Sequence, residues 1–273
     1  MQSRTGVRRR TVLPLLLAPW HLQAQEFATD EEWAQFLRWI RELPARSFGN
    51  EREAFPLYQQ HLIAAGMSST DAEALAARVH KRSANNPEWM AVNFNRLYSD
   101  AGPARYNRDT PNAFLMETVQ TLRPGRALDI GMGEGRNTIY LAQQGWNVTG
   151  IDVSDIGVAH AKERAGSLGL RIDARVQDVN RFDFGTSQWD LICLLYYVIP
   201  ETQQSLYLRI ADALKPGGHV IAEGFGLPVL DRLLQAWAKW EPTKLRLLRL
   251  EYRYSTSDWG GGGLGRLLLE KPA

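Results

Sequence analysis

The chain has 273 residues, with 32 basic and 30 acidic side chains and one cysteine. This length holds one large domain or two modest ones, and a single cysteine excludes an internal disulfide. Four of the bases (Arg4, Arg8, Arg9 and Arg10) precede the first acid, Glu26. Without the first 24 residues, 28 bases face 30 acids, which removes any bulk electrostatic case for binding nucleic acid.

Residues 1–24 have the order of an export signal. The basic stretch Arg8-Arg-Arg10 precedes a short apolar run, Val12 to Trp20, and then polar residues with a small one at Ala24. The apolar run is too short to span a membrane, and Pro14 and Pro19 interrupt it, so no stable membrane insertion is expected. Arg9-Arg10-Thr11-Val12-Leu13 also resembles a twin-arginine signal, whose route exports folded proteins. An exported, periplasmic location is the expectation from the leader; a cytoplasmic one is the alternative.

Residues 25–110 read as a helical region. Asp30 is placed to cap a helix through Ile40, with Trp33, Phe36, Leu37 and Ile40 on one face and Pro44 at its end. Glu53 to Ala65 and Thr70 to His80 are further helices, the second capped from Ser69-Thr-Asp71. Asn85-Asn-Pro87 is a break, and Trp89 to Tyr98 is one more helix. The aromatic residues here are read as packing residues rather than a base-stacking surface.

From residue 111 to 273 the pattern alternates strand and helix, the signature of a parallel sheet. A helix from Asn112 to Thr121 precedes a strand, Ala127 to Ile130, and the glycine triad Gly131, Gly133 and Gly135. Next come a helix (Asn137 to Gln144) and a second strand (Asn147 to Ile151) ending at Asp152. A helix from Asp155 to Leu168 leads to a strand, Ile172 to Gln177, that ends at Asp178. Trp189 to Leu195 is a fourth strand. A helix from Glu201 to Leu214 and the turn Lys215-Pro-Gly-Gly218 lead to a fifth, His219 to Glu223. Leu230 to Trp240 is helical. Leu247 to Ser255 and Leu264 to Glu270 form a hairpin across a glycine-rich loop.

The turn separates two kinds of nucleotide site. A dinucleotide fingerprint spaces its glycines G-x-G-x-x-G and sets a pyrophosphate on the following helix. Here the third glycine comes one residue early, and Arg136 takes the last position. Asp129-Ile-Gly-Met-Gly-Glu-Gly135 resembles motif I of the class I S-adenosylmethionine (SAM)-dependent methyltransferases. The likeness runs from about Asn112 to Pro272. It is nearest in style to the small-molecule group with the tellurite-resistance and thiopurine enzymes, whose turns also read Gly-Glu-Gly-Arg-Asn. The resemblance implies a Rossmann-like α/β fold: a mostly parallel seven-stranded sheet, helices on both faces, a C-terminal antiparallel hairpin and the helical region in front.

It also implies SAM as cofactor and a small-molecule methyl acceptor. Asp129, Gly131, Gly133 and Gly135 match the turn under the methionine moiety. Asp152, with Val153 beside it, matches the acid that holds the ribose hydroxyls, and Asp178 and Val179 match the adenine contacts. Tyr196 and Tyr197, after the fourth strand, are candidates to line the methyl-transfer site, and no catalytic base is identified. The Asn/Asp-Pro-Pro-Tyr/Phe motif of base and amide methyltransferases is absent there. Tyr98 and Tyr106, just before the sheet, are candidates to cover the cofactor, with packing the favoured reading, and Cys193 is read as a buried core thiol. The histidines form no metal-ligand pattern. Two other functions are weighed: a nicotinamide-dependent oxidoreductase, disfavoured by the glycine spacing and the hairpin, and an exported, non-catalytic nucleoside-binding protein, supported by the leader alone. Oligomeric state is not legible.

Overall fold

A computed structural model describes residues 26–44, 47, 51–84, 86–99, 109–197, 199, 203–225, 240–255 and 262–273. The leader, Tyr106 and nearly all of the helix expected from Leu230 to Trp240 lie outside these residues.

Four helices come first: α1 (Asp30–Glu42), α2 (Glu51–Ala64), α3 (Ser69–Ser83) and α4 (Pro87–Tyr98). α1 is capped by Thr29 rather than Asp30. The Thr29 hydroxyl accepts from the Glu32 N–H (3.2 Å), and the Glu32 carboxylate accepts from the Thr29 N–H (2.7 Å). This capping box satisfies two otherwise orphaned donors, while Asp30 pairs with Arg82 at 2.7 Å. Ser68 likewise caps α3 in place of Ser69, and Asn86 caps α4 with Pro87 at its first position. Pro56 sits inside α2 without ending it.

The four helices share a core of their own. Phe36 is fully buried, with ring centroids of Trp33, Phe55, Tyr58 and Trp89 at 5.0–5.7 Å. Such aromatic pairs add roughly 0.5–1.5 kcal/mol each beyond area burial. The packing reading of these rings is borne out.

The rest follows as α5 (Ala113–Val119), β1 (Arg126–Ile130), α6 (Arg136–Gln143), β2 (Asn147–Asp152), α7 (Asp155–Ser167), β3 (Asp173–Val176), β4 (Trp189–Leu195), α8 (Gln204–Ala213), β5 (Leu214–Phe225), β6 (Arg246–Ser255) and β7 (Gly262–Glu270). Among the described residues these strands form one seven-stranded sheet, ordered β3-β2-β1-β4-β5-β7-β6. β1 to β5 run parallel, and β7 lies antiparallel to both β5 and β6. A doubly wound dinucleotide sheet would continue in parallel past β5, so the reversed β7 excludes that order.

Side chains alternate across the sheet with the period of two that a strand imposes. Leu128, Ile192, Leu194 and Val220 meet α8 through Leu206 and Ile210 on one face. Ala127, Leu191, Cys193, Leu195 and Ile221 meet α5 and α6 through Phe114, Leu115 and Leu141 on the other. Both faces are therefore covered by helix, and Cys193 is fully buried. β5 begins five residues earlier than the sequence pattern predicts. Leu214 already pairs with Trp189, ahead of the Pro-Gly-Gly turn, and the ladder then shifts register before His219.

Candidate active site

Because β1 to β5 are parallel, Ile130, Asp152, Val176, Leu195 and Phe225 all end on one edge. The turn leaving β1 lies on this edge. Gly131, Gly133 and Gly135 have φ of +71°, +54° and +77°, in the left-handed region that only glycine enters cheaply. The N–H groups of Gly131 and Met132 donate to the Ile151 carbonyl at 2.9 and 3.1 Å and tie the turn to β2. Gly135 has a packing reason as well. A Cβ there would stand 2.7 Å from that of Ala161, so the glycine lets α6 approach α7.

The acids divide into distinct roles. Asp129 is buried beneath the turn, and its carboxylate accepts from the Thr138 hydroxyl at 2.7 Å. It braces α6 against β1. Burial pushes its carboxyl from 3.8 up to about 6; the Thr138 hydrogen bond opposes this and the Asp152 charge adds to it. Asp152 ends β2 with one oxygen accepting from the Gly133 N–H and the other from the Ser154 N–H, both at 2.8 Å. Burial raises its carboxyl above the ordinary range against these donors.

Asp178 takes the turn-former's role. It caps the single 3-10 turn Val179–Arg181, and its Oδ1 accepts from the N–H and the side-chain amide of Asn180 at 2.9 and 3.0 Å. The Val179 side chain is buried in the sheet core, so only its backbone faces outward chemistry. Val153 is half-buried beside Asp152.

Asp129 carries the clearest pH signature. Its folded value lies above its unfolded one, so the folded state holds the proton more tightly between about pH 4 and 6. Stability is therefore highest at the acid end of that window and falls as the pH rises through it. Two pH units correspond to about 3 kcal/mol. Asp129→Asn removes this cost and keeps an acceptor for Thr138. The variant is expected to be more stable than wild type at pH 7 by on the order of 2 kcal/mol, with the gap closing near pH 4. Urea unfolding at the two pH values checks this; an equal gap at both contradicts it.

The tyrosines sit against the turn. A Cβ placed on Gly131 would fall 2.9 Å from Cδ2 of Tyr197, and one on Gly133 would fall 2.5 Å from the Tyr98 hydroxyl oxygen. Burial, followed by the charges of Asp178 and Asp152, raises the Tyr197 phenol far above the usual tyrosine range, so at neutral pH it carries a proton and is no base. Tyr196 adopts a left-handed φ of +62°, its N–H donates to the Glu223 carbonyl at 2.7 Å, and the Arg136 guanidinium lies 5.6 Å from its ring.

Tyr98, favoured in the sequence as packing over a cover for the cofactor, lies directly on the turn. Two features escape sequence reasoning. Glu134 of the turn meets His160 Nδ1 on α7 at 2.8 Å. A buried polar chain also links the turn to the hairpin: the Asn112 N–H donates to Asn137 Oδ1 (2.8 Å), the Asn112 amide donates to Glu223, and Arg266 Nε donates to Glu223 (2.5 Å). The asparagine of Gly-Glu-Gly-Arg-Asn137 is its only local signal.

The edge suits SAM in its donor set. Asp152 accepts one N–H on each oxygen, and a carboxylate has about four lone-pair sites, so acceptor capacity remains for a hydroxyl. The bare glycine backbone allows close approach.

Residues 127–218 match a protein family described as a methyltransferase domain. The matched residues contain the glycine turn, Asp152 and Asp178, the same stretch that resembles the class I SAM-dependent methyltransferases. Over 112 residues the chain is 35% identical to a ubiquinone biosynthesis O-methyltransferase of Paramagnetospirillum magneticum, covering 41% of this chain and 43% of that one. Over 76 residues it is 29% identical to a probable SAM-dependent methyltransferase, TehB, of Haemophilus influenzae, covering 28% and 27%. The chain spans about half the length of the curated relatives it matches, or less. A solved SAM-dependent methyltransferase of Methanosarcina mazei superposes with a TM-score of 0.51 at 16% identity, covering 60% of this chain and 99% of that one, which shows a shared fold. The nicotinamide alternative is set aside by the domain match and by the reversed β7.

Proposed function

We propose that the protein transfers a methyl group from SAM to a small-molecule acceptor. The observation that carries this reading is the three-glycine turn standing beside Asp152 on the carboxyl edge of a methyltransferase sheet. In it, Asp152 accepts from the ribose hydroxyls and Gly131 and Gly133 give the backbone approach for the methionine end. Asp178 and the Val179 backbone flank the adenine.

Bound SAM supplies an already activated methyl on a sulfonium. The chain's own task is then to align an acceptor with that carbon and keep water away, worth on the order of 7–11 kcal/mol at best. The raised phenol of Tyr197 cannot take a proton from the acceptor at neutral pH. With no base identified in the sequence either, the reading is of an acceptor that is ionised or soft on arrival, such as a thiolate or a metalloid oxyanion. Radiolabelled SAM with a panel of thiols, halides, metalloid oxyanions and phenols tests it. Label transfer to a soft anion is the expected result, and no transfer to any of them, with SAM bound, contradicts it.

We further propose that residues 1–24 direct export. The order of basic, apolar and small residues supports this. Cell fractionation tests it: a shortened protein outside the cytoplasm is expected, and full-length protein retained inside contradicts it. Among the described residues no helix is long and apolar enough to cross a membrane.

A further inference from the structure

Two rings stand against the glycine turn. Tyr197 follows β4 and lies on Gly131; Tyr98 ends α4 and lies on Gly133 and on Gly157, where a Cβ would fall 2.8 Å from Tyr98 Cδ2. The charges of Asp178 and Asp152, the acids assigned to adenine and to ribose, both bear on the Tyr197 phenol. A ring in ordinary van der Waals contact with this backbone and a nucleoside on the same backbone exclude each other.

Both rings stand on parts with a built-in reason to move. Tyr197 follows Tyr196, a non-glycine residue held at a φ of +62°. A return of Tyr196 to extended backbone re-aims the next side chain and relieves the strain. Tyr98 is the last residue of α4, stacked on Phe94 at 5.9 Å. One turn earlier, Asn95 accepts from the Ser154 hydroxyl at 2.6 Å and donates to Asp155. Arg96 donates to the carbonyls of Leu43 and Pro44 past the end of α1, at 2.9 and 2.7 Å. The ring on the turn is therefore connected to the docking of the whole helical region.

We propose that Tyr98 and Tyr197 are an aromatic gate seated in the nucleoside crevice, and that SAM enters only when both rings leave the glycine turn and the end of α4 lifts from α7. The gate rests on the SAM reading above and adds to it a closed state that the chain fills with its own side chains. Loading is then linked to movement of the helical region, and apparent affinity is lowered by the fraction of molecules that are closed.

Protein labelled with 3-fluorotyrosine, titrated with S-adenosylhomocysteine and followed by fluorine NMR alongside calorimetry, tests the gate. Tyr98→Phe and Tyr197→Phe assign the two resonances. Both are expected to shift towards the position of exposed tyrosine and to saturate with the calorimetric affinity. Tyr98→Ala and Tyr197→Ala, checked for a wild-type circular dichroism spectrum, are each expected to associate with the ligand faster and to bind it more tightly, and the double variant about tenfold so, as for a closed state holding nine-tenths of the molecules. Saturation by calorimetry with both resonances unmoved overturns the gate, as does weaker binding by both alanine variants, which would make the rings a platform. Failure of wild type and every variant to bind any adenosine ligand removes the SAM reading itself, and the gate with it.

Discussion

Asp152→Ala is expected to weaken S-adenosylhomocysteine binding at least about a hundredfold, a loss of roughly 2.7 kcal/mol. The carboxylate has two tasks that alanine ends together. It offers acceptors to a diol, and it holds the N–H groups of Gly133 and Ser154. A charge-assisted hydrogen bond contributes roughly 1.5–3 kcal/mol, and part of that is offset because the buried charge disappears too. Some loss of melting temperature is therefore expected beside the loss of affinity. Asp152→Asn separates the two tasks. It keeps one oxygen as an acceptor and the packing volume, so it retains more stability than alanine while binding stays weak. Calorimetry and thermal melts on the three proteins measure this. Wild-type affinity in the alanine variant removes Asp152 from the cofactor site.

Arg266→Ala is expected to be the most damaging single change to stability. Arg266 and Glu223 are buried side chains on β7 and β5, paired directly across the ladder. Arg266 also reaches Glu251 at 3.1 Å, and its guanidinium lies 5.1 Å from the Phe114 ring. Removing one partner strands the other charge without water, at a cost of about 3–5 kcal/mol. For a chain of this size that lowers the melting temperature by roughly 10 °C. The paired change Arg266→Met with Glu223→Gln is expected to recover most of the loss, because no charge is then left unpaired. Thermal melts of the single and paired variants check this. A single variant that melts with wild type contradicts the network's structural role.

The architecture was legible because its signals are local and periodic. β4 matches its expected bounds, Trp189–Leu195, since a continuous apolar run between turn residues has one sensible reading. β3 is shorter than expected, Asp173–Val176 instead of Ile172 to Gln177. It is the edge strand, and exposed Val176 gives no burial pattern to extend it. The caps shifted by one residue because Thr29 and Asp30, or Ser68 and Ser69, are equally good candidates on paper. Only the N–H geometry chooses between them.

The site was legible in position and less so in direction. Sequence places Asp129, Asp152 and Asp178 at strand ends but does not say which donors claim each carboxylate. Thr138 takes Asp129 inward, Asn180 holds Asp178 in its own turn, and Asp152 is shared between Gly133 and Ser154. The Asn112–Glu223–Arg266 chain joins residues far apart in sequence, beyond any local pattern. Tyr98 belongs to the same class, since its neighbour Gly133 is brought to it by the packing of α4 on α7.

The account depends most on what the turn after β1 accepts. Titrating the purified wild-type protein with S-adenosylhomocysteine and, separately, with NAD and NADP tests this directly. One site for S-adenosylhomocysteine per chain and no heat with either dinucleotide is the expected result. Saturable binding of a dinucleotide with none of S-adenosylhomocysteine would contradict the account.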